Sequence, residues 1–189
     1  MTSVQTSMTR HRTIAKVFLL VLALGALGMT GCSWFRGRPN YVVPVLDSAK
    51  EQMAVVRDQY ARARQTIGGK VRREELEKTL AACNVMLENY PKDRVHTPTA
   101  ALIKAEAHRA LEDHDNAEIE YRRIVAEYPD VKDIHVASLY GLAQSLESQK
   151  RVKESKEVLR QLIETYQVSG DPAIRKYVTE ARVKYRRIL

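Results

Sequence analysis

The chain has 189 residues, with 31 Lys+Arg against 23 Asp+Glu for a formal charge of +8, five histidines and two cysteines. That length allows one domain with a true core, and two cysteines rule out a disulfide-built scaffold. The basic residues are scattered through mixed-sign segments with no arginine-rich or aromatic-interleaved patch, so the charge leaves no nucleic-acid footprint and no nucleic-acid partner is expected.

Residues 1–31 differ in composition from the remainder. They carry Arg10, Arg12 and Lys16, no acid, and then an uncharged apolar run over residues 17–30. A basic start, an apolar stretch and a small-residue end is the order of an export signal. The run is about fourteen residues, whereas a membrane-spanning helix needs roughly twenty, so a permanent transmembrane anchor is disfavoured. Without this segment the charge becomes 28 minus 23, or +5.

The run ends at Thr30-Gly31-Cys32, which resembles the lipobox of bacterial lipoproteins, with Met29 where that family usually has leucine. The resemblance implies cleavage before Cys32, acylation of Cys32 and durable attachment to a membrane through several acyl chains. Ser33 in place of aspartate implies the outer membrane, and therefore a periplasmic domain. Residues 32–45 read as a lipidated tether. Trp34 and Phe35 beside Arg36 and Arg38 suit either a lipid interface or a disordered leader.

From residue 46 to about 170 a repeat is visible. Met86-Leu87-Glu88-Asn89-Tyr90-Pro91 recurs as Ile124-Val125-Ala126-Glu127-Tyr128-Pro129 and, more weakly, as Leu162-Ile163-Glu164-Thr165-Tyr166-Gln167. The tyrosines are 38 positions apart both times. Each period holds two amphipathic helical stretches, the second stopped in two copies by a proline. Leu76, Leu80, Cys83, Leu87 and Tyr90, then Ala117, Tyr121, Ile124 and Tyr128, then Val158, Leu159, Leu162 and Tyr166 give the second helices a buried face. Leu102, Ala105 and Ala110, then Val136, Leu139, Tyr140, Ala143 and Leu146, mark the first helices. His114-Asp115-Asn116 and Gln149-Lys150-Arg151 read as hairpin turns. An earlier, divergent hairpin is expected over residues 48–66 and 71–89, turning at Gly68-Gly69. After Gly170, Asp171-Pro172 supplies an N-cap and a first-turn proline. The helix that follows, over residues 171–189, carries Ile174, Tyr177, Val178, Ala181, Tyr185 and Ile188 on one face, as a cap for a repeat stack.

Residue chemistry points away from catalysis. His96, His108, His114 and His135 lack ligand spacing, so no metal or cofactor site is expected. Cys83 sits in a core position as an inert thiol. Gly68-Gly69-Lys70 lacks the remaining residues of a phosphate loop.

The repeats resemble the tetratricopeptide family: Ala105, Ala117, Tyr121, Ile124 and Pro129 stand at its small, small, aromatic, apolar and proline positions, and Ala143, Ser155, Leu159 and Leu162 follow in the next copy. The 38-residue period exceeds the family's usual 34, which predicts longer inter-repeat loops near residues 92–97 and 130–134. The resemblance implies an all-α solenoid of stacked antiparallel hairpins whose first helices line a concave groove. Its groove positions fall on Leu102, Glu106, Arg109, Tyr140, Gln144 and Glu147. A lipobox ahead of such repeats is similar to the envelope-assembly lipoproteins, notably the repeat lipoproteins of the β-barrel assembly machine, and to the repeats of the Tol-Pal coordinator. The expected role is a non-enzymatic scaffold for other envelope proteins or peptides, or alternatively an accessory substrate-recognition subunit of a cell-wall or secretion machine.

Overall fold

The computed structural model describes residues 41–188; Cys32, the export signal and the aromatic and basic residues at 34–38 lie outside the described residues. Regular structure among the described residues is entirely helical: α1 (Ala49–Gln65), α2 (Gly69–Asn89), α3 (Thr97–Ala110), α4 (His114–Glu127), α5 (Lys132–Ser148), α6 (Val152–Tyr166) and α7 (Pro172–Arg187). Consecutive helices pack as hairpins, and α1 touches α3, α3 touches α5 and α5 touches α7. The odd-numbered helices therefore form one layer and the even-numbered helices the other, an all-α repeat solenoid closed by α7.

Local chemistry sets the helix ends. Ser48 Oγ accepts from the Glu51 amide at 3.2 Å, Asp113 Oδ1 from Asn116 at 3.3 Å, and Asp171 Oδ1 from Ala173 at 2.8 Å, each satisfying a first-turn amide that the helix leaves free. Tyr90 and Tyr128 end α2 and α4 in almost the same conformation, φ −127°, ψ 46° and φ −126°, ψ 48°. Each stands before a proline, whose ring disfavours helical geometry in the preceding residue. Gln167 imposes no such clash, and α6 runs on through Tyr166. The hairpin turns also repeat: Glu112 and Lys150, 38 positions apart, both take positive φ, 63° and 64°.

Three expectations need correction. The second hairpin turns at residues 111–113, and His114-Asp115-Asn116 is the first turn of α4, because the Asp113 side chain caps the helix there. The long loop expected near residues 130–134 is only 128–131, and the surplus residues lengthen α5; the loop over residues 90–96 is long, with Asp93 Oδ1 accepting from Val95 and His96 at 3.0 and 2.6 Å. Ala110 is exposed, its burial taken instead by Ala101, Ala105 and Ala107. The end of the expected tether is also held to the fold. Val43 is buried among Met53, Val56 and Met86, and the Leu46 amide donates to Gln52 Oε1 at 2.9 Å while its carbonyl accepts from Tyr90.

The core runs continuously between the two layers, and small residues set its spacing. Ala105, Ala117 and Ala143 are completely buried, as is Ser155, whose hydroxyl donates to the Ala143 carbonyl at 2.8 Å. A close approach lies at Gly141 on α5, where a Cβ would stand 2.3 Å from Cζ of Tyr121 on α4. One repeat earlier the sizes are exchanged: Cys83 precedes Tyr121 by 38 positions, Ile103 precedes Gly141 by 38, and the two share one cluster. A large side chain on the even helix meets a small one on the next odd helix, or the reverse, and either arrangement fills the same space. Gly141→Ala is expected to cost about 1–3 kcal/mol by overpacking, read as a lowered thermal midpoint with unchanged helicity at low temperature.

Candidate functional site

The inner layer is formed by α1, α3, α5 and α7. Leu102, Glu106 and Arg109 project from α3 and Tyr140, Gln144 and Glu147 from α5, two sets 38 residues apart. All six are half-buried. Leu102 packs against the middle core cluster and Tyr140 against the last, so each anchors the groove floor as well as facing it.

The neighbours of these six complete the surface. Tyr60 of α1 donates its hydroxyl to Glu106 Oε2 at 2.7 Å, and Arg64 lies 5.8 Å from the centroid of the Tyr60 ring. On the other side Tyr177 of α7 meets Tyr140 edge-to-face with centroids 5.7 Å apart, a favoured aromatic arrangement, and Lys184 pairs with Glu147. The cap therefore supplies a wall of the groove. Sequence reasoning overlooked Tyr60, Tyr177, Glu180 and Lys184 as groove residues. The available signal was parity, because the first and last helices are odd members of the hairpin series and share the inner layer.

The groove's phenols are held protonated. Burial, reinforced by Glu106, pushes the Tyr60 hydroxyl well up; burial pushes Tyr121 up to about 12 against the opposing effect of Arg109; burial and Glu180 raise Tyr140; and burial raises Tyr177, with help from Glu106 and Glu180. At neutral pH these hydroxyls are hydrogen-bond donors and not nucleophiles. Arg109 stands in the centre beside Tyr121, with its Nε buried and unpaired among the described residues. Such a surface can hold a polar backbone or a carboxylate and seat an aromatic or aliphatic side chain between its tyrosines.

His108, His135 and Cys83 have structural surroundings, while His96 and His114 each hold a buried Nδ1 without a partner among the described residues. His108 Nδ1 lies 3.1 Å from Asp113 Oδ2; burial works against ionisation of that carboxyl, but hydrogen bonds from Asn116 and His108 outweigh it and hold it below the usual range. His135 Nδ1 is 2.7 Å from the Tyr166 hydroxyl in the buried interface of α5 and α6. Cys83 is fully buried, and desolvation pushes its thiol up to about 12. Among the described residues no three histidine, cysteine or acidic side chains converge as a metal site.

The tetratricopeptide-repeat family model matches residues 99–130 and 137–167, which are the α3/α4 and α5/α6 hairpins. These two hairpins are tetratricopeptide repeats. The α1/α2 hairpin and α7 continue the stack beyond the matched residues, and no curated protein matches the chain. Such repeats suggest a protein–protein interaction scaffold, and their first helices, α3 and α5, lie together on the inner layer.

One consequence concerns acid. Desolvation lowers the folded His135 pKa below its ordinary 6.5, so below that value the unfolded chain binds a proton that the native state resists. Stability should hold above pH 6.5 and fall as pH drops from there toward the depressed native value. His135→Gln should flatten this part of a plot of thermal midpoint against pH, and an unchanged slope would reassign the effect to another group.

Proposed function

We propose that this protein is an outer-membrane-anchored periplasmic lipoprotein whose tetratricopeptide groove captures a segment of another envelope protein during assembly of outer-membrane proteins. The lipid on Cys32 confines the scaffold to the membrane surface, and the groove provides its specificity. Support for anchoring comes from the basic, apolar and small-residue order of residues 1–31 and the Gly-Cys junction that ends it. The observation that carries the docking role is the inner face itself. Tyr60, Tyr140 and Tyr177 supply half-buried aromatic surface with donor hydroxyls, and the half-buried Arg109 places a guanidinium, held by Tyr121, between them. Tyrosine and arginine contribute most strongly to binding at protein interfaces, because they combine large contact area with directed hydrogen bonds.

The groove can hold a chain only if the chain offers more than apolar area. Glu106 and Glu147 are already engaged by Tyr60 and Lys184, so an occupant must match or replace those bonds. An extended segment that leaves these two bonds in place, or donates to the same carboxylates through its amides, while setting an acceptor near Arg109 and a ring near Tyr140, satisfies both demands.

Arg109→Ala combined with Tyr140→Ala should weaken partner capture by about thirtyfold or more in crosslinking from detergent-solubilised membranes, the loss expected of a hot-spot pair, while circular dichroism retains the helical signal. Undiminished capture would move the docking site off the groove. Mass spectrometry of the purified protein should find Cys32 as an acylated amino terminus, and Cys32→Ser should release the protein from the membrane fraction.

A further inference from the structure

The turn joining α1 to α2 has a surface that the groove does not explain. Ile67 is 98% exposed and Val71 53% exposed at the tip of the first hairpin. Residues 62–73 contain Arg62, Arg64, Lys70, Arg72 and Arg73 and no acidic residue. Arg62 pairs with Asp58 and Arg64 leans on the Tyr60 ring, whereas Lys70, Arg72 and Arg73 are exposed beside the apolar tip. The corresponding turn of the second hairpin has the opposite character, with Glu112, Asp113 and Asp115. The third hairpin's turn has Lys150, Val152 and Lys153, but Val152 is only 39% exposed and Arg151 between them is paired with Glu118 and Glu154, so among the described residues the fully exposed aliphatic tip with unpaired basic flanks is found at the first hairpin.

The path of the chain shows what this tip faces. Leu46 is fixed near the start of α1 by Gln52 and Tyr90, and Tyr41 lies further toward the turn, its hydroxyl 3.4 Å from Gln59 Oε1 and its ring 5.8 Å from Lys78 Nζ. Residues 41–46 thus run antiparallel to α1, and the chain enters the fold from the side of the Ile67 turn. Six helical residues separate Gln59 from the end of α1 at Gln65, a rise of about 9 Å that three extended residues span. Cys32 precedes Tyr41 by nine residues, a reach of at most about 30 Å.

We propose that the α1–α2 turn is a membrane contact: Ile67 and Val71 enter the headgroup region of a bilayer rich in anionic phospholipid while Lys70, Arg72 and Arg73 bind its phosphates. This rests on the anchored reading above, since attachment at Cys32 keeps the tip within reach of the surface. Aliphatic insertion and basic contacts reinforce each other at such an interface. The contact fixes how the solenoid stands on the membrane, with the α1–α2 turn down and the loop after α6 on the opposite edge.

The test uses the full chain from membranes, reconstituted into phosphatidylglycerol-containing vesicles that carry a lipid-bound fluorescence quencher. A fluorophore is placed at Ile67→Cys or, as a control on the opposite edge, at Val168→Cys, a position 91% exposed. Cys83 is buried, and any signal from Cys32 is subtracted with the unsubstituted chain. Quenching at position 67 should exceed that at 168 several-fold, and Lys70→Gln, Arg72→Gln and Arg73→Gln together should abolish the difference; each cation near an anionic surface is worth about fivefold in partitioning. Equal quenching at both positions overturns the contact, whether or not mass spectrometry finds lipid on Cys32, so the anchor and the contact are judged separately. Shielding of position 67 only when an acidic protein co-purifies, with no dependence on phosphatidylglycerol, assigns the tip to that protein and overturns the membrane assignment.

Discussion

The seat of Tyr121 on the backbone of Gly141 is the contact on which the rest of this solenoid depends. The ring crosses from α4 to α5 at a distance that a Cβ at 141 could share only if the ring shifted, and so sets the spacing between two successive hairpins. The hydroxyl at that same end of the ring reaches Arg109 on α3. One residue thus joins the core between hairpins to the inner layer, and a shift in the stack moves the Arg109 guanidinium with it. A close-packed interior passes on such a displacement because it has little free volume in which to absorb it.

Polar contacts add register to this packing more than they add stability. Arg151 bridges from the third hairpin to Glu118 of the second while also holding Glu154 at 2.6 Å, and Gln149 reaches Asp115 at 3.2 Å. Arg151 and Glu154 are well solvated, and such pairs contribute about 0–1 kcal/mol, whereas Glu118 is mostly shielded. Lys104 and Glu120, 2.8 Å apart and mostly shielded from solvent, tie α3 to α4 more firmly, with Arg123 as a second partner of the same carboxylate. Burial disfavours the charge on Glu120, but the two cations outweigh it and hold its pKa below the ordinary value. The apolar contacts set how closely the helices approach, and these ties set how they slide.

Much of this was legible in the residues because the repeat writes the same physical instruction more than once. Tyrosines at 38-residue intervals located the ends of three even-numbered helices, and the prolines after Tyr90 and Tyr128 explained why two of those helices stop where they do. Gly141 was not legible, since it falls outside the apolar stripe of Val136, Leu139, Ala143 and Leu146. Its signal was a cost: a glycine inside a helix loses about 1 kcal/mol against alanine, and its place there points to a close approach by a neighbouring element. The turn of the second hairpin was misread because Asp113, His114, Asp115 and Asn116 are all polar, and only the direction of the Asp113 side chain shows where the helix begins. The outer walls of the groove were missed because the first and last helices depart from the motif and could be placed only by their position in the stack.

The position of α7 has a consequence for binding that a separate cap would not have. Had α7 covered only the apolar end of the third hairpin, the groove would end in the open carboxylate of Glu147. With Lys184 paired to that carboxylate and Tyr177 set against Tyr140, the groove is already satisfied along its carboxy-terminal wall, as Glu106 is by Tyr60 along the other. A ligand that only exchanged these bonds for its own would gain little, because the protein's groups lose as many partners as they acquire. Any net gain must therefore come from apolar area against the tyrosine rings and from the half-buried Arg109 side chain, whose Nε is itself shielded from solvent. On the docking role proposed above, such a surface favours a partner with an anionic or carbonyl acceptor near Arg109 and discriminates against one that places a cation there.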